Sequence, residues 1–370
     1  MTFLKKLWQK NSGSSPEEDF WAWFSANQSA FFAAVKKDDT DFIHQHFLNK
    51  LTPRLQALND VFYVETGMFN DNVAELIITA EGDIKSFVFV EALVALAPQL
   101  DNWKFTALKP STGNGRIKMH GHLFDSDTIT FYCLEQEEQY PDEVDLVLIH
   151  GDFTVQNKDL ITQGTFLYLD SLLGELNVAT LVDSVTVMGP DMQGQTTISM
   201  EKLTDYLIWR EKEFVEKYNG VRHKTENDNY ASVEGTDEDG FPSIAILDTD
   251  LLAWDAKASH PWMLVLEIDY EKSNAVSRNG MPNKKYLDLM TRFEQALSER
   301  LADSDGYLNL GRETYKGKRK IYIACKEFRT ASRKVHELIL ENKKELFCSY
   351  DIYKDKYWRT MEAFDPESID

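Results

Sequence analysis

Hydrophobic residues recur along this chain with the two periods that mark strands and helices, and the last third shows both most clearly. Residues 262–270 place Leu264, Leu266, Ile268 and Tyr270 on one face of a strand. Gly280-Met281-Pro282 then breaks the chain and opens a helix, in which Tyr286, Met290, Phe293, Leu297 and Leu301 make one apolar stripe. Strands over 307–314 and 319–325 follow, joined through the hairpin turn Tyr315-Lys316-Gly317-Lys318. A second helix carries Ala331, Val335, Leu338 and Ile339 on one side, and a last strand covers 346–353. Two helices on one face of a four-stranded antiparallel sheet bury all of these stripes. The expected fold class is therefore α+β, with a ferredoxin-like βαββαβ unit at the C-terminal end.

Upstream, Ser15-Pro16-Glu17-Glu18 reads as a helix start with a capping box, and Phe20, Phe24, Phe31 and Val35 lie along one side of that helix. A second helix is expected over 41–58. Strands at 62–68 and 73–80, a deeply apolar helix ending at Pro98, and strands at 103–109, 116–123, 128–135 and 144–150 follow. A helix over 156–173 stops at Gly174, before a strand at 184–188. This describes a second α/β sandwich. Gly189-Pro190-Asp191 and Gly194 mark a boundary, and the charged amphipathic helix over 200–218 reads as a connector. The expected division is an N-terminal α+β domain (1–196), a connecting helix (197–220) and the C-terminal domain (221–370). Residues 222–240 are polar and acidic, which predicts a surface loop, and 241–247 predict an edge strand.

The C-terminal unit also resembles a known family. Gly280-Met281-Pro282, then Gly311-Arg312-Glu313-Thr314 with Gly317 and Arg319, then Asp355-Lys356-Tyr357-Trp358, are similar to the family catalogued as domain of unknown function 695. The resemblance covers roughly residues 227–360. It implies no activity and no catalytic residue. In some proteins this domain is joined to one similar to an inhibitor of ribonuclease E, and no copy of that extra domain is seen in this sequence.

Composition narrows the picture. The chain has 370 residues, 43% hydrophobic and 12% aromatic, enough for two cores. Its formal charge of −21 repels phosphate backbones and anionic lipid, which argues against nucleic acid and suits a basic protein partner. Cys133, Cys325 and Cys348 show no metal spacing, and no secretory signal is evident, so reduced thiols in a cytoplasmic, bacterial setting are expected. No run approaches the roughly 20 apolar residues of a membrane span.

Candidate chemistry is sparse. His120-Gly121-His122, in a strand, would direct both imidazoles to one face, with Asp125 nearby, and could hold zinc or another divalent ion. Acid–base work needs two carboxylates in one cleft, and Asp170 with Glu175, and Asp248 with Asp250, are such pairs in sequence, but among 61 acidic residues pairs like these arise by chance. No GxSxG, GxxxxGK[ST] or GxGxxG occurs. A basic stretch at 316–320 stands out in so acidic a chain. Arg312, Lys316, Lys318, Arg319 and Tyr322 there are candidates for partner contact or for guarding a sheet edge. The expected function is a non-catalytic protein-binding or regulatory module, with no cofactor and with homo-oligomerisation left open. The alternative is a metal-dependent hydrolase using His120, His122 and Asp125.

Overall fold

The computed structural model describes residues 14–134, 139–190, 196–236, 240–272, 276–277 and 279–364. Helix α1 (Pro16–Lys36) begins at Ser15, whose hydroxyl accepts the Glu18 amide while the Glu18 carboxylate accepts the Ser15 amide. The capping box read from sequence is in place. Strands β1 (Tyr63–Asn70) and β2 (Val73–Thr79) pair antiparallel; helix α2 (Ile84–Ala95) then crosses over to β3 (Trp103–Ala107), which lies parallel to β2.

The next segment forms two further sheets. Strands β4 (Ile117–Met119) and β5 (His122–Phe124) make a small hairpin. Strands β6 (Ile129–Cys133), β7 (Asp145–His150), β8 (Ser184–Met188) and β9 (Ile198–Ser199) form a four-stranded sheet in the order β8-β7-β6-β9. Helices α3 (Lys158–Leu173) and α4 (Glu175–Leu181) run between β7 and β8, and α5 (Leu203–Lys217) follows β9. Phe124, Phe131, Leu148, Tyr168 and Leu172 share a core there with Leu203 and Leu207 of α5, so the helix read as a connector contributes to that core. Close packing explains Gly164 on α3, where an added Cβ would sit 2.1 Å from the Phe124 ring.

At the C-terminal end, β10 (Tyr230–Thr236), β11 (Pro242–Asp248), β12 (Trp262–Asp269), β13 (Tyr307–Tyr315), β14 (Lys318–Cys325) and β15 (Cys348–Lys354) build one antiparallel sheet in the order β10-β11-β13-β14-β12-β15. Helices α6 (Lys284–Arg300) and α7 (Phe328–Asn342) cover the face carrying Leu264, Leu266 and Ile268. The opposite face, with Met263, Leu308 and Ala324, is covered by Trp358 and Met361.

Two expectations are corrected in this sheet. It has six strands where four and an edge strand at 241–247 were expected, because residues 230–236, read as loop, pair with β11. The segment read as an edge strand is consequently interior. β10 escaped notice because its burial is slight, and an edge strand needs no apolar face. The boundary residues Asp191 and Gly194, and the acidic residues 237–239, lie outside the described residues.

The largest core crosses the chain from end to end. It joins Phe24, Phe31, Leu76 and Phe87 to Leu264, Phe293, Val335 and Ile352. Helix α2 lies against α7: Phe87 meets Phe328 with ring centroids 6.2 Å apart, and Arg329 forks onto Glu91 at 2.8–3.0 Å. The Ser332 hydroxyl donates to the Lys85 carbonyl at 2.5 Å. Among the described residues, no helix is long and apolar enough to cross a membrane.

Candidate functional site

The residues expected to hold a metal do not converge. The strand read over 116–123 is instead a hairpin, with His120 (φ +48°) and Gly121 (φ +89°) as its two turn residues. That geometry puts His120 at the tip and His122 at the start of β5, so the shared face predicted for the two imidazoles is absent. His122 Nδ1 lies 2.9 Å from Asp152 Oδ2. Asp125 is consumed by the amides of Asp127 and Thr128, the Thr128 hydroxyl and Arg116. Burial works against its charge, but these donors outweigh it and hold the carboxyl below its ordinary range. His150 is buried, with Nε2 3.0 Å from the Leu123 carbonyl oxygen and Nδ1 accepting the Asp152 amide. Among the described residues, no group of three or more His, Cys, Asp or Glu side chains is placed to hold a metal ion.

Of the carboxylate pairs, Asp170 and Glu175 do share a neighbourhood, organised by Lys109. Glu175 is buried and accepts the Thr79 hydroxyl at 2.6 Å, the Gly82 amide at 2.9 Å and the Lys109 amide at 3.0 Å. Its oxygens are thereby committed to tying α4 to the end of β2. Asp248 caps a short helix through the Leu251 amide and faces Asp228 rather than Asp250, which bonds Asn229. Burial, and then the neighbouring Asp228 carboxyl, push the Asp248 carboxyl up.

The basic stretch is divided between the two faces of the sheet. Arg312 and Arg319 both reach the Glu294 carboxylate of α6, and Arg319 Nε also donates to Thr314 Oγ1 at 2.9 Å. Lys318 pairs with Glu267 at 2.8 Å on the other side, and Tyr322 is buried. Lys316 sits in the β13–β14 turn with its ammonium 5.1 Å from the Phe241 ring centroid. Three of these five candidates thus bind carboxylates of their own chain.

The feature that sequence reading missed is a cleft of about 440 Å³ between α5 and the end of the C-terminal sheet. Asp142, Val144 and Leu181, from the β6–β8 region, line one side together with Lys356; beside them Glu143 and Asp183 meet the Asp355-Lys356-Tyr357-Trp358 motif and Arg359. Tyr357 and Tyr218 donate their hydroxyls to Asp142 Oδ2 at 2.6 and 2.7 Å, and Lys217 reaches the same carboxylate at 2.8 Å. Asp183 accepts Lys356 at 2.8 Å, Lys354 at 3.1 Å and the Val144 amide at 2.7 Å. Arg359 pairs with Glu143. Trp358, at φ +59°, anchors the motif by donating its indole N–H to the His260 carbonyl at 3.0 Å.

The electrostatics are those of a partly dry polar junction. Burial opposes the Asp142 charge, yet Lys217, Tyr357 and Tyr218 hold its carboxyl below the ordinary range. Burial pulls Lys354 down to about 8, against the attraction of Asp183. It pushes Glu143 up to about 7, against the attraction of Arg359. Glu143 therefore binds its proton more tightly folded than unfolded. The sign follows: the unfolding free energy falls as pH rises from about 4.5 to about 7. Glu143→Gln is expected to flatten that fall in urea titrations across the window. An unchanged slope would assign the dependence elsewhere.

The cleft has walls of both signs and, among the described residues that line it, no nucleophile paired to a base. Arg210 donates through Nη2 to the Pro141 carbonyl at 3.1 Å, while its buried Nε has no partner. Glu211 and Glu213 also line the cleft and make no ion pair among the described residues. Beside it, α5 exposes Ile208, Trp209 and Val215.

A family model, described as a family of unknown function (DUF695), matches residues 232–364, and the N-terminal region has no family match. No curated protein and no solved structure matches the chain. The matched span contains the six-stranded sheet from Ser232 onward, both of its helices and the motif that meets Asp142 and Asp183.

Proposed function

From a C-terminal region that matches the DUF695 family model, we propose that this chain is a non-catalytic binding or regulatory module of the cytoplasm. Its partner is another protein, one that presents a basic and apolar segment to the cleft and to the outer face of α5. The observation that carries the reading is how the polar groups of the cleft are divided. The lysine and tyrosine of the family motif spend their hydrogen bonds on Asp142 and Asp183, fixing the walls. Glu211 and Glu213 stay without an ion-pair partner among the described residues, beside exposed Ile208, Trp209 and Val215. Apolar side chains next to unneutralised carboxylates suit a cationic amphipathic segment, and the net charge of −21 steers such a partner in. The hydrolase alternative draws no support from the positions of His120, His122 and Asp125.

The test is affinity purification from the source cells with the native chain and with the double variant Glu211→Lys/Glu213→Lys. The expected result is one basic protein at near one-to-one ratio, released by about 0.5 M salt and lost from the variant. Recovery of the same partner by both forms, or of none by the native chain, would overturn the reading.

A further inference from the structure

The outer face of α5 and the cleft beside it complement a stretch of this same chain. On α5, Ile208, Trp209 and Val215 are each more than half exposed. Helical spacing sets Glu211 between Ile208 and Val215 on one stripe, and Glu213 one turn beyond Trp209. The nearby cations are already engaged. Lys356 holds Asp183, Lys217 holds Asp142, and Arg210 donates to the Pro141 carbonyl. Lys212 pairs with Glu216 at 3.8 Å, which leaves Glu211 and Glu213 without a cation among the described residues.

Residues 1–13 lie outside the described residues, and their sequence has the opposite character. They carry Lys5, Lys6 and Lys10 and no acidic residue, in a chain that holds 61 acidic residues against 40 lysines and arginines. Phe3 with Leu7, and Leu4 with Trp8, are four positions apart, the spacing that one side of a helix gathers. The lysines fall on either side of that apolar set. A segment of this pattern is the cationic amphipathic chemistry that the α5 face suits.

The segment joins the described fold at Ser14. Ser15 caps α1, whose Trp21 donates its indole N–H to the Leu93 carbonyl near the end of α2, at 2.8 Å. Helix α2 in turn meets β15 through Lys85 and Asp351, 3.9 Å apart, and the chain leaving β15 brings Lys356 to the cleft. Thirteen residues span at most about 45 Å when extended, which is of the order of the breadth of a compact chain of this length.

We propose that residues 1–13 dock on α5 at the cleft, with Phe3, Leu4, Leu7 and Trp8 against Ile208, Trp209 and Val215 and the lysines towards Glu211 and Glu213. This docking rests on the reading of the cleft as a seat for a cationic amphipathic segment, and it makes any external partner a competitor of the chain's own residues. A fluorescein-labelled peptide of residues 1–13 is titrated by anisotropy against the full native chain and against the full chain carrying Lys5→Glu/Lys6→Glu/Lys10→Glu. Saturable binding to the lysine variant is expected, with binding about tenfold or more weaker to the native chain, whose own segment competes. Adding Glu211→Gln/Glu213→Gln to the lysine variant should weaken the peptide by a similar factor, with circular dichroism unchanged. Carbodiimide cross-linking of the native chain should join Lys5, Lys6 or Lys10 to Glu211 or Glu213, in a monomer for docking within one chain and in a dimer for docking between copies. Equal binding of the peptide to native and lysine-variant chains, or no saturation by either up to roughly 1 mM, overturns the docking. An external partner captured through Glu211 and Glu213 would then still uphold the reading of the cleft, and peptide binding with no such partner would do the reverse. Co-sedimentation of the native chain with phosphatidylserine vesicles, in place of the cross-links, would also overturn the docking by giving the segment to a membrane surface.

Discussion

Asp183→Ala is expected to destabilise the protein by about 3–5 kcal/mol at pH 7, because it strands two buried ammonium groups. The Lys354 and Lys356 side chains are only 11% and 6% exposed, and Asp183 is the carboxylate both of them reach. Lys356 keeps the Asp142 carbonyl; Lys354 keeps no partner of opposite charge within ion-pair reach among the described residues. Burial has already drawn Lys354 down to about 8, so losing Asp183 favours release of its proton. The loss should therefore be smaller at about pH 9 than at pH 7. Urea unfolding followed by tryptophan fluorescence at both values reads this directly. Adding Lys354→Met to Asp183→Ala should restore part of the stability, since it removes one uncompensated charge. A loss below about 1 kcal/mol at pH 7 would mean that water solvates the lysines and that the junction is not dry.

Gly311→Ala is expected to cost about 3–5 kcal/mol through the close approach of β11 to β13. The backbone at Gly311 adopts φ +140°, and an added Cβ would lie 2.3 Å from the Ile246 carbonyl oxygen and 2.9 Å from Leu247 Cα. It sits at the irregularity where β13 shifts register against β14, with its amide held by the Asn309 side chain at 3.1 Å. The methyl group can be accommodated only if β11 moves away, and β11 alone holds β10 in the sheet. Hydrogen exchange should then accelerate selectively at 230–236 and 242–248. Native-like protection of those amides would show that the strands absorb the methyl without parting.

These two sites show what the sequence could and could not reveal. Gly311 was visible as part of the Gly311-Arg312-Glu313-Thr314 motif, and its role is local to one strand pair. The capping box at Ser15 and the stripe from Tyr286 to Leu297 were legible for the same reason: they depend on residues three and four apart. Asp142 and Asp183 gave no signal, because the motif residues that meet them, Tyr357 and Lys356, lie 215 and 173 positions away along the chain. The hairpin tip at His120-Gly121 was misread as strand because it needs left-handed backbone at a histidine, where asparagine or aspartate would have marked the turn. Arg312 and Arg319 looked like free cations in sequence, and only the packing of α6 on the sheet brings Glu294 between them.

The contact between α2 and α7 also sets a timetable. Their packed residues, Phe87 and Phe328, are separated by 240 intervening positions in the chain. At about 5–20 residues per second, a ribosome needs on the order of 10–50 s to span such a distance. Throughout that interval the newly made α1–β3 segment carries Phe24, Phe31 and Leu76 without the α7 and β12 side chains that complete their cluster. The nascent protein thus depends on delayed closure, with its first-made apolar surface waiting for its last-made elements. The same dependence holds for dissection: residues 232–364 expressed alone would lack the α2 surface against which α7 is packed.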